Sequence, residues 1–269
     1  MRQADFEKLR EYLYRQTGIY FEDQKLYYVE KRVEQHMTAR GFKDFRDYFS
    51  ALRFDRTGAL WQELLNTLTV NETYFFREYD QLKCFAEEVI PLWMKNGVGK
   101  YGVRLWCAGC STGEEAYTLA IILKEMAEDL YWEVHATDIN TAVLERAERG
   151  IYNNYATRQV PEVYLERYFT PIGENYAISS LLKKKIKFYQ VNLMDDQAMQ
   201  KMRNFNAIFC RNVLIYFDDL SRRRVALHFY QALEAGGYVF LGHSESMSRI
   251  TTLFKPVKFQ NAIIYQKGN

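Results

Sequence analysis

The sequence predicts an α/β protein with a doubly wound, mostly parallel sheet, an N-terminal all-helical domain and an inserted small antiparallel β-subdomain. Apolar residues recur at helical spacing up to about residue 70, and strand and helix patterns alternate from about residue 80 onwards. The alternation is interrupted over about 151–191. We therefore expect a helical domain at 1–70, a linker at 71–80 and a sheet domain at 81–269.

The N-terminal region reads as four helices. Gly18, Gly41 and Gly58 separate the periodic segments at points where helices should stop. The apolar residues at helical spacing are Phe6, Leu9 and Leu13, then Leu26, Val29, Val33 and Met37, then Phe45, Tyr48, Phe49 and Leu52, then Leu60, Leu64, Leu65 and Leu68.

The sheet domain alternates short apolar runs with longer helical patterns, which is typical of parallel strands joined by helices. The predicted strands are Val103–Cys107, Glu133–Thr137, Ala207–Cys210, Tyr238–Gly242 and Ala262–Gln266. The predicted helices are Gln81–Trp93, Glu114–Glu128, Thr141–Arg149 and Leu220–Ala235.

The interruption contains a helix, Pro161–Arg167, and three β-like runs, Tyr168–Pro171, Tyr176–Ser179 and Ile186–Val191. An antiparallel hairpin inserted into the α/β sheet explains this pattern. Lys183–Lys185 should lie at its tip or edge, either protecting an edge strand or docking an acidic partner.

Composition limits the function classes. A formal net charge of +2 does not favour nucleic-acid binding. The sequence has no bilayer-length apolar stretch and no signal peptide, so we expect a cytoplasmic protein. Cys107 and Cys110 are spaced like half a zinc site, but no second pair completes it, and we expect no metal.

The loop Leu105–Glu115 joins a buried strand to a helix through small residues, including Gly109, that let a ligand approach the backbone closely. It lacks both the Gly-x-Gly-x-x-Gly fingerprint and a phosphate-binding Gly-Lys-Ser/Thr. Glu114 at the helix start would repel phosphate but would accept a cationic amino group. An adenosyl ligand that carries an amino acid fits this loop.

Asp138 ends the next predicted strand about 25 residues after the loop, where an acid accepts the two ribose hydroxyls in nucleotide-binding folds. The alternative is that Asp138 caps the helix Thr141–Arg149. Asn140 would cap that helix equally well and would leave Asp138 to the ligand.

Five motifs in this order resemble the chemotaxis receptor methyltransferase (CheR) family across essentially the whole chain. They are Asn71–Glu78, Ser111–Glu115, Ala136–Ile139, Ile208–Phe217 and Gly242–Glu245. The resemblance implies methyl transfer from S-adenosylmethionine, with S-adenosylhomocysteine as product. The acceptors would be glutamates in the cytoplasmic domain of methyl-accepting chemoreceptors.

The resemblance also assigns roles by position. Tyr216 would lie next to the transferred methyl group, and Arg77 would bind either the carboxylate of the cofactor or the approaching glutamate; these two are the catalytic candidates. The cofactor candidates are Asn71, Thr73 and Arg77 at the methionine end, Gly109 in the loop, Glu114 at the amino group, Asp138 at the ribose, Asn192 and Leu193 on the adenine side, and Asn212 and Val213 beneath the cofactor. A glutamate is ionised at neutral pH, so the reaction requires no general base.

Partner surfaces are implied in two places. In the family, the second helix often docks on the receptor through an arginine face, which in this chain would consist of Lys25, Arg32, His36 and Arg40, mixed with acidic residues. A solvated helix surface is the alternative. The β-subdomain binds the receptor's C-terminal peptide in some members, and we expect a monomer.

Three other functions share residue types with this chain. Asn212–Tyr216 keeps the ends of the Asn-Pro-Pro-Tyr loop of nucleic-acid methyltransferases but lacks both prolines. A cofactor-sensing adaptor without turnover is the alternative from a different class. His243, Ser244 and Glu245 contain the residue types of a hydrolase triad, but neighbours on one strand end cannot converge as a triad does, so we expect them to shape the loop.

Overall fold

The N-terminal domain is a four-helix unit, as predicted. The computed structural model describes residues 2–98 and 102–268. The helices are α1 (Gln3–Thr17), α2 (Leu26–Ala39), α3 (Phe45–Phe54) and α4 (Ala59–Leu68), with a 3-10 turn at Asp23–Lys25. Their apolar faces form one core around Phe6, Leu9, Leu13 and Tyr48. Over the described residues, no helix has the combined length and apolarity that a bilayer crossing requires.

The rest of the chain forms the α/β domain. Its helices are α5 (Tyr79–Cys84), α6 (Ile90–Lys95), α7 (Glu114–Met126), α8 (Thr141–Arg149), α9 (Asn154–Thr157), α10 (Glu162–Tyr168), α11 (Ser180–Lys183), α12 (Asp196–Gln200), α13 (Asp219–Ala232) and α14 (Met247–Ile250). A π-helical turn at Phe85–Val89 joins α5 to α6, and a 3-10 turn at Leu214–Tyr216 follows the β7 strand. The strands are β1 (Val103–Ala108), β2 (Trp132–Asp138), β3 (Ile151–Asn153), β4 (Phe169–Ile172), β5 (Asn175–Ile178), β6 (Ile186–Gln190), β7 (Phe205–Cys210), β8 (Leu233–Leu241), β9 (Phe254–Lys258) and β10 (Ile263–Lys267).

Seven strands form the main sheet in the order β6-β2-β1-β7-β8-β10-β9. The first five strands pair in parallel, and β10 pairs antiparallel with both of its neighbours, β8 and β9. Alternate residues of each strand face opposite layers. Leu105 packs in the layer that contains α7, and Trp106 packs in the layer that contains α13. This confirms the predicted doubly wound, mostly parallel sheet.

The assignment of two short strands corrects the sequence prediction. The run beginning at Ile186 is not part of the inserted hairpin, because it pairs in parallel with β2 as the edge of the main sheet, with Ile186 opposite Val134. The inserted sheet has the order β3-β5-β4, so its third strand is Ile151–Asn153. Lys183–Lys185 therefore precede the edge strand of the main sheet instead of lying at a hairpin tip.

The helical domain covers the carboxyl ends of the parallel strands. Ile19 forms a β-bridge with Phe217, just after β7. Asn192, just after β6, donates its Nδ2 to the carbonyl of Gln16 at 2.7 Å. Gln62 on α4 donates to the carbonyl of Ile139, just after β2, at 3.0 Å. Ligands of doubly wound sheets bind at this edge, so the domain contact encloses the expected site.

Candidate active site

A cavity lies between the helical domain, the segment 68–77 and the carboxyl ends of the strands. The structure brings together at its walls all of the predicted cofactor and catalytic residues except Glu114. Those at the walls are Asn71, Thr73, Arg77, Gly109, Asp138, Asn192, Leu193, Asn212, Val213 and Tyr216. The cavity is therefore one site to which six separate segments of the chain contribute, including residues 17–21 of the helical domain.

The loop after β1 approaches the opposite wall very closely. Gly109 has φ +84°, and a Cβ atom there would lie 2.4 Å from Cγ2 of Val213. The amides of Gly109 and Cys110 both donate to the carbonyl of Thr137, at 2.8 and 2.9 Å. A side chain at position 109 would thus disturb both the loop and the wall that carries Val213.

Asp138 is held in place by backbone donors. Its Oδ2 accepts from the amide of Ser111 at 2.8 Å, and its Oδ1 accepts from the amide of Asn140 at 2.9 Å. Burial raises the pKa of Asp138, although these amides favour the ionised form. The side chain of Asn140 caps α8 by accepting from Val143 at 3.1 Å. The capping alternative for Asp138 is therefore wrong, and its remaining lone pairs are available to a ligand.

The two acidic residues at the start of α7 lie in different environments. Glu114 is buried, accepts from the hydroxyl of Thr112 at 2.6 Å, and is not among the described residues that line the cavity. Burial raises the pKa of Glu114. Glu115 does line the cavity. One residue step turns a helix by about 100°, so the two side chains point in different directions, and the geometry favours Glu115 as the acid that faces the ligand.

Arg211 links three walls of the site, and the sequence interpretation gave it no role. Its buried guanidinium pairs with Glu115 at 3.0 Å and with Glu78 at 3.4 Å, and it donates to the carbonyl of Arg77. Burial opposes the ionisation of Glu78, but the charge of Arg211 and a hydrogen bond from Asn212 outweigh it and lower the pKa of Glu78. The partners lie up to 134 positions apart, so no local pattern could have revealed this network.

Glu245 holds the loop that follows β7. Its carboxylate accepts from the amides of Gly242 at 2.7 Å, Asn212 at 2.8 Å, Val213 at 3.1 Å and Ile215 at 3.2 Å. Burial raises the pKa of Glu245, while these amides act in the opposite direction. This agrees with the loop-shaping role expected for the His243–Glu245 segment.

Backbone strain is concentrated at the same place. In the described chain the non-glycine residues with positive φ are Phe76, Glu78, Ser111, Asn204 and Asn212, and four of these five adjoin or line the cavity. Such conformations cost about 1–3 kcal/mol each and persist where surrounding contacts enforce them. Each of the four is held by such a contact, which indicates that the site is preorganised. The amide of Phe76 donates to Thr118, that of Ser111 to Asp138 and that of Asn212 to Glu245, and Glu78 pairs with Arg211.

The two catalytic candidates, Arg77 and Tyr216, both line the cavity. Arg77 donates from Nη1 to the carbonyl of Glu72 at 3.0 Å, which leaves further N–H donors of its guanidinium for a ligand. Tyr216 is half-buried, and burial raises the pKa of its phenol, so the hydroxyl is protonated and able to donate at neutral pH. Its backbone carbonyl accepts from Tyr20 of the helical domain at 3.0 Å.

The predicted docking face of α2 needs one correction. His36 is buried, with its Nδ1 2.8 Å from the hydroxyl of Tyr48, and therefore cannot contact a partner. Lys25 is exposed, Arg32 stacks 3.6 Å above the ring of Tyr28, and Arg40 pairs with Glu63. The face consists of the three basic residues without the histidine.

Cys107 and Cys110 are both buried free thiols. Burial raises the pKa of each, and Cys107 donates to Oε1 of Glu115 at 3.3 Å. Over the described residues no cluster of three or more His, Cys, Asp or Glu side chains forms a metal site. The short spacing of the two cysteines reflects packing beside the loop.

The chain matches two protein-family models end to end. One, described as the CheR methyltransferase all-alpha domain, matches residues 4–69, and the other, described as the CheR methyltransferase SAM binding domain, matches residues 71–263. Chemotaxis protein methyltransferase 2 of Vibrio cholerae is 40% identical over 268 residues, covering 98% of this chain and 93% of that protein. The chemotaxis protein methyltransferases of Salmonella typhimurium and Escherichia coli are 36% and 33% identical, each over 93% of this chain and over 86% and 87% of their own lengths.

Proposed function

The chain belongs to the CheR methyltransferase family, and from that premise we propose that it converts glutamate side chains on the cytoplasmic helical bundle of chemoreceptors into γ-methyl esters. It is an enzyme, and its methyl donor is S-adenosylmethionine. The observation that carries the proposal is similarity over nearly the full chain to a protein named chemotaxis protein methyltransferase 2. Such an enzyme would work in the cytoplasm.

The proposed reaction is a direct displacement. An oxygen of the ionised glutamate attacks the methyl carbon, the carbon–sulfur bond breaks, and its electron pair stays on sulfur, giving S-adenosylhomocysteine and the ester. No proton is transferred, because a carboxylate with a pKa of about 4.3 is ionised at neutral pH. The protein contributes alignment and exclusion of water, and alignment alone supplies about 7–11 kcal/mol in favourable cases.

Arg77 and Tyr216 are proposed to orient the acceptor. A guanidinium binds a carboxylate through two parallel N–H donors, and Arg77 uses one donor on the carbonyl of Glu72. Tyr216 lines the cavity with its phenol protonated, so it can direct a hydrogen bond at the reacting groups. Asp138 would hold the ribose and Glu115 the amino group of the cofactor, with Asn192 and Leu193 on the adenine side.

Two surfaces are proposed for the receptor. The basic face of α2, with Lys25, Arg32 and Arg40, would contact the acidic bundle. The edge strands β3 and β4 of the inserted sheet offer unpaired backbone groups, to which an extended receptor C-terminal peptide can add as a further strand. We propose that the chain works as a monomer, since each of these sites lies within one copy.

The deciding experiment is transfer of labelled methyl from S-adenosylmethionine to purified receptor cytoplasmic fragments, followed by a mild alkaline wash. Release of the label as methanol is the expected result, because carboxyl methyl esters are labile to base. Alkali-stable label would contradict the proposal and indicate N-methylation. If several receptors take up no label although the cofactor binds tightly, the cofactor-sensing adaptor becomes the better explanation.

Replacing Tyr216 with phenylalanine distinguishes turnover from binding. We expect Tyr216→Phe to keep cofactor affinity within about twofold and to lower kcat by about 10- to 100-fold, the effect of losing a positioned donor. Tyr131→Phe is the control, because that side chain is 64% exposed. Equal loss in both variants would remove Tyr216 from the proposed catalytic role.

A further inference from the structure

Arg158 is held between two tyrosine rings beside the cavity. Its Cζ lies 3.8 Å from the ring centroid of Tyr74 and 3.8 Å from that of Tyr155. It also donates from Nη1 to the carbonyl of Tyr155. Tyr74 lines the cavity, whereas Arg158 is exposed, so the guanidinium lies at the rim on the solvent side.

The rim is a junction between the linker and the inserted subdomain. The amide of Phe75 donates to the carbonyl of Ala156 at 3.0 Å, which fixes the linker against α9. A guanidinium stacked between two rings loses most of its rotamer freedom, and cation–π contact contributes about 0.5–1 kcal/mol at exposed sites. Arg158 is therefore a fixed positive charge at the rim.

Charge changes sign between the interior and the rim. The interior contains the carboxylates of Asp138 and Glu115 and the guanidinium of Arg211, which pairs with Glu115, so the unpaired carboxylate of Asp138 leaves it acidic and suited to a cationic cofactor. At the rim, Arg77 and Arg158 flank the same tyrosine ring, with Arg77 Cζ 5.9 Å from the centroid of Tyr74. The nearby anion is Glu72, whose Oε1 lies 3.5 Å from the hydroxyl of Tyr155. Around the two tyrosine rings, the described residues Arg77, Arg158 and Glu72 together give a net positive charge, which favours an acidic acceptor.

We propose that Arg158 contacts an acidic residue beside the target glutamate on the acceptor helix, and so helps to determine which glutamates are methylated. Arg158 would not touch the reacting atoms. This inference rests on the proposed function, because it requires a helical carboxylate acceptor. The substrate that Arg158 would recognise is an acidic helical segment lying against the rim.

The geometry sets the spacing of that acidic residue. The Cζ atoms of Arg77 and Arg158 lie 5.9 Å and 3.8 Å from the ring centroid of Tyr74, so the two atoms are at most about 10 Å apart. Helices rise about 5.4 Å per turn. If Arg77 receives the target carboxylate, Arg158 should meet an acid one or two turns away along the same face.

The test is Arg158→Met, which keeps the apolar stem and removes the charge, with Arg158→Lys alongside it. At low ionic strength we expect Arg158→Met to raise the KM for the receptor fragment about 3- to 10-fold, with cofactor Kd and kcat unchanged. The increase should shrink towards 0.5 M salt, about where the Debye length has fallen below 5 Å. Arg158→Lys should restore part of the loss.

Arg167→Met is the matched control, since Arg167 belongs to the same insert, is exposed, and pairs with Glu125 near the far end of α7. On the receptor side, an acid-to-glutamine change one or two turns from the target should abolish the difference between wild type and Arg158→Met. The same change placed on the opposite helix face should not.

An unchanged KM for Arg158→Met would overturn the inference. A loss of cofactor affinity and thermal stability that accounts for the whole effect would also overturn it, because Arg158 would then be only a structural clamp. Binding of the receptor fragment to the S-adenosylhomocysteine complex, measured by calorimetry, gives a readout without turnover. Failure of the wild type to methylate is a failure of the proposed function, whereas equal receptor binding by wild type and Arg158→Met is a failure of this inference.

Discussion

Replacing Glu245 with glutamine tests whether the loop after β7 is held by a single carboxylate. The wild-type side chain accepts four backbone amides at distances from 2.7 Å to 3.2 Å. Each carboxylate oxygen accepts two of them, and in glutamine one oxygen becomes an amino group. Two of the four backbone N–H groups would then point at the side-chain NH2 group, which is itself a donor and cannot accept from them.

The size of the effect follows from those two amides. A buried donor without an acceptor costs about 1–3 kcal/mol. Water reaches part of this half-buried site, so about 2–3 kcal/mol in total is expected for Glu245→Gln. In a domain of this size, that corresponds to a decrease in Tm of about 5–10 °C.

Cofactor binding should fall together with stability, because the same loop carries Asn212 and Val213. We expect calorimetry to show about a tenfold weaker Kd for S-adenosylmethionine, and thermal melts to show the lower Tm. Glu234→Gln is the control, since Glu234 is exposed on β8. Gly242→Ala should give a similar loss, because its Cβ would lie 2.8 Å from Oε2 of Glu245. If Glu245→Gln leaves Tm within 1 °C and Kd within about twofold, the reasoning is refuted.

Three further predictions concern the loop, the acids and the pH dependence. Gly109→Ala should weaken cofactor affinity by about 100-fold or more in calorimetry. The control is Gly41→Ala, because Gly41 also has a positive φ, +78°, but no atom lies within 4 Å of its Cβ position. This control should lower the free energy of unfolding by only about 1–2 kcal/mol in denaturant melts and should bind the cofactor normally. Glu115→Gln should weaken cofactor binding more than Glu114→Gln does, and the reverse order in titrations would contradict the assignment of Glu115 to the cavity. Burial raises the pKa of Glu133, but hydrogen bonds from its basic neighbours outweigh this and lower it to about 2 from 4.5. Its stabilisation is therefore complete above pH 4.5 and is lost as the pH falls towards 2. Because solvent screens its exposed partner Lys187, unfolding measured against pH should show an acid-dependent loss that is smaller by about 1–2 kcal/mol in Glu133→Gln than in the wild type.

The elements that were predicted correctly are those with local signals. The four N-terminal helices follow from apolar spacing and glycine stops, and the central strands follow from buried runs that alternate with helices. The run beginning at Ile186 was placed in the wrong sheet because its alternation fits either sheet, and the choice depends on pairing with β2, about fifty residues earlier. Ile151–Asn153 has only three residues, too few for a periodic signal.

Site residues that belong to a recognised motif could be predicted from the sequence. The direction in which a side chain points could not, because it depends on how the helix or loop packs in the folded protein. Which of Glu114 and Glu115 faces the cavity depends on how α7 is rotated about its axis, and packing on the sheet sets that rotation. His36 lies at the spacing of the basic face, yet Tyr48 and Glu63, both distant in sequence, give it buried partners. Arg211 lies within a recognised motif, but its role became visible only with its partners in place.

The pairing of Arg211 has a consequence for the proposed reaction. Transfer of methyl from a sulfonium to a carboxylate removes two opposite charges, so a site that stabilises the sulfonium strongly in the ground state raises the barrier. Unpaired, Glu115 and Glu78 would do this, because Glu115 lines the cavity and Glu78 follows the lining residue Arg77. Arg211 sets its single positive charge against the two carboxylates, at 3.4 and 3.0 Å, and so offsets part of their negative charge while leaving them able to position polar groups. In the proposed reaction, the buried ion network would therefore let an acidic interior bind a cationic cofactor without holding its charge so tightly that transfer slows.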